Sequence, residues 1–199
     1  MKSFRLFVGF TIVCFALSPS ARAVVPPPDG GYPNFTTAEG QNALFSRTTG
    51  AGNTAVGWFS LKSVTTGSFN TAVGAGALAL NTASNNTAVG AAALFINTTG
   101  VNNTSTGAGA LELNTTGSNN TANGAFALIN NTTGHENTAI GRDALLENTT
   151  GSENTATGHG ALTNNIDADG NTANGLFALH DNMHGAENTA IGQQALAVN

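Results

Sequence analysis

The sequence predicts an all-β protein: a parallel β-solenoid of about ten 17-residue coils, on three observations. First, Asn53-Thr54-Ala55-Val56-Gly57 returns at Asn70, Asn86, Asn103, Asn120, Asn137, Asn154, Asn171 and Asn188, at intervals of 17 and once of 16. One interval before Asn53 stands Thr36-Thr37-Ala38-Glu39-Gly40, so residues 36–199 hold nine full repeats and a truncated tenth. Second, the unit N-T-A-x-G-x-x-A-L-x-x-N-T-T-G-x-x leaves no room for a helical hairpin, which needs about 34 residues. Third, charges fall only at unit positions 6–7, 10–11 and 14–17, apart from Glu39 at position 4 and Arg47 at position 12 of the first copy. Charged side chains are almost never buried unpaired, so those variable positions face water.

The elements follow in chain order. Met1–Arg5 carries two positive charges, Leu6–Leu17 is apolar, and Ala21-Arg22-Ala23 places small residues at −3 and −1 of a cleavage site. Residues 1–23 are therefore expected to be a removable export signal. The apolar run falls short of the ~20 residues a membrane span requires. Residues 24–35 hold Pro26, Pro27, Pro28 and Pro33 with Gly30 and Gly31, which reads as an extended linker.

Within each coil, Thr at position 2 and Val or Ile at position 4 favour a short strand. The glycine at position 5, from Gly40 through Gly57, Gly74, Gly90, Gly107, Gly124, Gly141, Gly158 and Gly175 to Gly192, suits a sharp bend. Positions 8–11 read as a second short strand. Their invariant leucine forms one expected core ladder of Leu44, Leu61, Leu78, Leu94, Leu111, Leu128, Leu145, Leu162, Leu179 and Leu196. The one shortened copy loses its residue just after Asn81, and deletions settle in loops, so positions 13–17 read as a turn. Stacked about 4.8 Å apart, ten coils extend on the order of 45 Å, with Asn and Thr in ladders along the axis.

At Asn70-Thr71-Ala72-Val73-Gly74 and Asn137-Thr138-Ala139-Ile140-Gly141 the chain resembles the YadA-like head repeats of trimeric autotransporter adhesins. The resemblance covers Thr36–Asn199, with a unit longer than the usual head unit. It implies a left-handed parallel β-roll, a homotrimer, display at a bacterial cell surface and adhesion to a host or surface ligand. The thin core supports the trimer: each coil supplies one large invariant apolar side chain, worth roughly 1.5–3 kcal/mol when buried. Ordering the backbone of a whole coil costs far more. Val56, Val73, Val89, Ile140 and Ile191 form a second apolar surface for which the chain has no covering layer, with Asn123 and Asn174 in the same column.

Composition excludes several functions. Only 9% of residues are charged, and export leaves Arg47, Lys62 and Arg142 against eleven acidic residues. Such a surface cannot neutralise a nucleic-acid backbone. The single Cys14 lies in the export signal, so the mature chain has neither disulfides nor thiolate metal ligands, and no membrane span is expected. His135, His159, His180 and His184 occupy variable positions and read as solvated. Asn165, Asp167 and Asp169 with Gly170 resemble half a calcium loop, but Leu176 stands where the bidentate Glu belongs. They form a weak metal candidate beside the plainer reading of a repeat turn. No catalytic residue and no cofactor is expected, since paired carboxylates and a nucleophile elbow are absent. Trp58, Phe59, Phe126 and Phe177 sit at positions 6–7, where subunit packing is the favoured reading.

The sequence thus points to a secreted or cell-surface, non-enzymatic fibre module that adheres or spaces. The alternative is an ice-binding solenoid using threonine columns at positions 2, 13 and 14, with Thr48, Thr65, Thr82, Thr98, Thr115, Thr132 and Thr149 as seven entries in one such column.

Overall fold

The computed structural model describes residues 34–199; the expected export signal and the linker up to residue 33 lie outside the described residues. Ten three-residue strands follow one another: β1 (Thr37–Glu39), β2 (Thr54–Val56), β3 (Thr71–Val73), β4 (Thr87–Val89), β5 (Thr104–Thr106), β6 (Thr121–Asn123), β7 (Thr138–Ile140), β8 (Thr155–Thr157), β9 (Thr172–Asn174) and β10 (Thr189–Ile191). They form one parallel sheet in sequence order, with no helix among the described residues. Register is strict: Thr54 stands beside Thr71, Ala55 beside Ala72, Val56 beside Val73. The fold is the β-solenoid that the repeat period predicts, and coils are numbered here by their strand.

Between coils the backbone alternates direction. Thr54 N donates forward to Asn70 O at 2.8 Å, while Gly74 N donates back to Val56 O at 2.8 Å. The position-3 alanines point inward and are buried, while positions 2 and 4 face out. Ser105 replaces Ala on β5 and remains satisfied, donating to Ala110 O at 2.7 Å.

The position-5 glycines are the bends expected of them, for two reasons. Gly57 has φ 128°, and a Cβ there would lie 2.6 Å from Gly74 O of the next coil. Only a residue without a side chain lets successive coils approach so closely.

Positions 8–11 differ from expectation, for they are turns and not a second strand. Ala77 N donates to Gly74 O at 3.3 Å, Ala79 N to Gly76 O at 3.2 Å, and Asn81 N to Leu78 O at 3.2 Å. Each bond reaches back three positions, the mark of consecutive β-turns. Position 7 and the leucine at position 9 both take positive φ, the geometry of the third residue of a type II turn. The leucines run from φ 47° at Leu61 to 53° at Leu128, a region that costs a side-chain-bearing residue about 1–2 kcal/mol. In exchange the leucine side chains turn into the core.

The leucine ladder is buried from Leu44 to Leu179, and the eight from Leu61 onward are fully enclosed. Leu196 departs from the expected continuous ladder. It is 50% exposed, because no coil is stacked beyond it here.

Candidate functional site

The interior holds a polar device that the sequence shows only as a consensus. Asparagines at positions 1 and 12 are buried in almost every coil. In the position-12 column, Asn114 Nδ2 donates to Asn97 Oδ1 at 2.7 Å, Asn131 to Asn114 at 2.8 Å and Asn148 to Asn131 at 2.9 Å. In the position-1 column, Asn103 Oδ1 accepts from the backbone N of Asn120 at 3.0 Å. Both columns converge on one carbonyl per coil: Gly117 O accepts from Asn103 Nδ2 and from Asn114 Nδ2, each at 2.9 Å. No buried side-chain nitrogen or oxygen among the described residues lacks a partner, so the polar core incurs no desolvation penalty for orphaned groups.

This convergence explains the glycine at position 15. At Gly100 a Cβ would lie 2.5 Å from Asn97 Oδ1. Position 12 departs from Asn at Val64, fully buried, and at Arg47, whose Nη1 donates to Gly50 O at 3.1 Å.

On the outside, three surfaces carry the candidate residues. The strand face presents ten in-register threonines at position 2. Among the described residues, the hydroxyls from Thr54 to Thr189 in this column have no hydrogen-bond partner. Beside it, Val56, Val73, Val89 and Ile140 are 37–42% exposed and Ile191 73%. The position-13 threonines are different, because their hydroxyls are spent within the protein. Thr98 Oγ1 donates to Thr115 O at 2.7 Å and Thr115 Oγ1 to Thr132 O at 2.8 Å.

The second surface is the turn edge. Ser118 Oγ accepts from Val101 N at 3.1 Å, and Ser152 Oγ from His135 N at 3.2 Å. Asp169 Oδ1 continues that column, accepting from Ser152 N at 2.7 Å. Asp167 instead faces forward, with His184 Nδ1 at 2.6 Å from its Oδ1. Asn165 is buried in the amide ladder and donates to Asn148 Oδ1 at 2.8 Å and Ala168 O at 3.0 Å. The three calcium candidates are therefore engaged in three directions and are not brought together. Among the described residues no three His, Cys, Asp or Glu side chains form a group able to hold a metal ion.

The third surface lies on coils 7–10 and gathers histidines that the sequence presents only as variable. His159 Nε2 is 3.5 Å from Asp143 Oδ2, which also meets Arg142 Nε at 3.1 Å. The Phe177 ring stands between two imidazoles, with centroids 5.1 Å from His159 and 5.2 Å from His180. His180 Nδ1 lies 2.6 Å from Asp181 Oδ1, and Asn164 Nδ2 donates to the same oxygen at 2.7 Å. The His180 bond first, then that of Asn164, holds the Asp181 carboxyl below its usual value of 3.8. The His159–Asp143 and Asn164–Asp181 contacts arise because positions 6–7 and 10–11 of successive coils stack at strand spacing, while Arg142–Asp143 and His180–Asp181 are neighbours in sequence.

The aromatic residues follow a rule that sequence reasoning missed. The rings of Phe69, Phe126 and Phe177 cover Gly52, Gly109 and Gly160, where a Cβ would collide with them. A signal existed: each Phe follows a Gly by one repeat. Trp58 and Phe59 instead pack edge-on at 4.1 Å, with Lys62 Nζ 4.4 Å from the Phe59 ring.

Fold and ladders together define a repeat protein of the parallel β-solenoid class. Comparison with family models, curated proteins and solved structures finds no match. No helix among the described residues is long and apolar enough to cross a membrane.

Proposed function

We propose that the chain is an exported, non-enzymatic surface or fibre module of the adhesin-head type, working as a homotrimer. One observation carries this reading: the ten-strand stack leaves Val56, Val73, Val89, Ile140 and Ile191 uncovered in one outward column, interrupted by Thr106, Asn123, Thr157 and Asn174. Three copies meeting along that column would bury it. Asn123 and Asn174, exposed in the same column, would pair their amides across the symmetry axis. The resemblance of the repeats to trimeric adhesin heads supports the same assembly. Sedimentation of the mature protein at micromolar concentration tests it: a trimer is expected, and a stable monomer would defeat the assembly. Beads coated with the protein are expected to adhere to cells, and inert beads would reduce the role to that of a spacer.

A second reading rests on the position-2 threonines, whose free hydroxyls and methyls repeat at strand spacing along a ten-strand face. Such a row can bind an ordered lattice, and ice is the lattice at issue. The position-13 threonines lend it no support, since they donate inward. Thermal hysteresis separates the readings: clear activity sinks the adhesin, and none removes the ice binder.

A further inference from the structure

Between coils 9 and 10 the side-chain columns step down. The slot after Phe177 holds Gln194, and the slot after His180 holds Ala197. The step leaves a hollow of about 260 Å³ lined by Phe177, His180, Asp181, Gln194 and Ala197. That is slightly below the ~300–1,000 Å³ typical of sites for drug-sized ligands, which suits a single small ring.

Its chemistry is specific. The Phe177 ring is fixed from several sides, seated on Gly160 and flanked by His159 and His180. Asp181 receives both its hydrogen bonds on Oδ1, which orients the carboxylate and leaves Oδ2 as an acceptor. His180 is held through Nδ1, leaving Nε2 for a ligand. The Gln194 side chain adds one amide donor and one acceptor. An apolar ring face beside a carboxylate, an imidazole and an amide matches a molecule with one C–H face and a rim of hydroxyls. That is the pattern of a pyranose.

Charge narrows the class further. Residues 120–187 hold Glu136, Asp143, Glu147, Glu153, Asp167, Asp169, Asp181 and Glu187 against Arg142 alone. An acidic sugar or a phosphorylated ligand would be repelled, whereas a neutral or amino sugar would not.

We propose that this hollow is a binding subsite for a non-acidic pyranose, the glycan contact of the adhesive module. The inference deepens the adhesin-head reading and rests on it. Asp181 Oδ2 and Gln194 bond the hydroxyl rim, and Phe177 stacks on the C–H face.

The test uses the mature protein with methyl glucoside, methyl galactoside, N-acetylglucosamine and glucosamine as probes and glucuronate as the acidic control. Saturation-transfer NMR and calorimetry are expected to show millimolar binding of at least one non-acidic probe and none of glucuronate. Phe177→Ala and Asp181→Ser are each expected to weaken binding by roughly tenfold or more. Other coils already carry these residues, Ala92 at position 7 and Ser63 at position 11, so both variants should keep the fold. Circular dichroism verifies it, and either variant alone suffices. Silence of every non-acidic probe at about 50 mM, far above a millimolar Kd, overturns the proposal. So does unchanged affinity in a folded variant, or equal binding of glucuronate. Coated beads separate the two readings: adhesion that survives Phe177→Ala removes the subsite and leaves the adhesin, while inert wild-type beads remove the adhesin itself.

Discussion

Coils 2–5, residues 53–119, and coils 6–9, residues 120–187, share one interior and wear different surfaces. Inside, both halves repeat the same buried alanines, leucines and asparagines. Outside, the first half carries only Lys62 and Glu112 as charges and exposes Trp58, Phe69 and Leu80. The second carries eight acidic residues and Arg142, with the His–Asp pairs among them. At position 11 the change is direct after Ser63: Leu80, Ile96 and Leu113 give way to Asn130, Glu147, Asn164 and Asp181. There the polar side chains pair between coils, Asn130 Nδ2 to Glu147 Oε2 at 3.0 Å and Asn164 Nδ2 to Asp181 Oδ1 at 2.7 Å. The comparison teaches that folding instructions and surface chemistry are separable in this chain. The inward positions define the coil, and the outward ones are free to vary.

If so, interior substitutions should cost the same in either half. The largest effect is expected from Gly57→Val and Gly141→Val, where a Cβ would lie 2.6 Å from the next coil's carbonyl oxygen at φ 128° and 130°. Each should cost more than about 4 kcal/mol and abolish cooperative thermal unfolding. Leu94→Ala and Leu145→Ala come next, at about 2–5 kcal/mol each by chemical denaturation. A clear difference between the two leucines would break the comparison.

Asn114→Ala and Asn148→Ala sharpen it. Each deprives the oxygen of the preceding ladder residue, Asn97 or Asn131, of its amide donor. The central carbonyl keeps its other donor, Asn103 at Gly117 and Asn137 at Gly151. A cost of about 1–3 kcal/mol is expected in both halves.

The smallest effect should belong to the second half alone. Asp181 is held below its ordinary pKa by His180 and then Asn164, so its contribution is present above pH 3.8 and is lost as pH falls through the lower folded value. Melting temperature followed down from about pH 5 should drop less steeply in Asp181→Asn than in the wild type. Identical slopes would show that the pairing carries no stability.

Period and composition made the stack, the strands at positions 2–4 and the glycine bends legible. The turns at positions 8–11 were not, because leucine has no propensity that announces positive φ. Leu61 is forced there by a tight turn and by burial, both tertiary effects. The asparagine columns were visible as ladders, yet their meeting at Gly117 O depends on the coil's closed path. The cluster around Phe177 escaped because His159, Asn164 and Asp143 come from earlier coils and meet it only through stacking. Aligning the copies recovers the Phe-over-Gly pairs but not the His–Asp contacts, which depend on rotamers.

The position-12 amide column also has a mechanical side. From Asn81 to Asn165 its links measure 2.6–2.9 Å, but Asn182 Nδ2 reaches Asn165 Oδ1 only at 3.5 Å. The long link lies where Ala168 replaces the position-15 glycine. The link beside Ala83, in the shortened coil 3, stays at 2.6 Å. Pulled along its axis, a rod of equal rungs has no preferred breaking point. This one has no amide rung in coils 1 and 2, where Arg47 and Val64 stand at position 12. Coils 8 and 9 are tied in addition by Asn164 to Asp181 and by His184 to Asp167. Tension should therefore part the first coils before the last and leave Phe177 and Asp181 in the body of the rod.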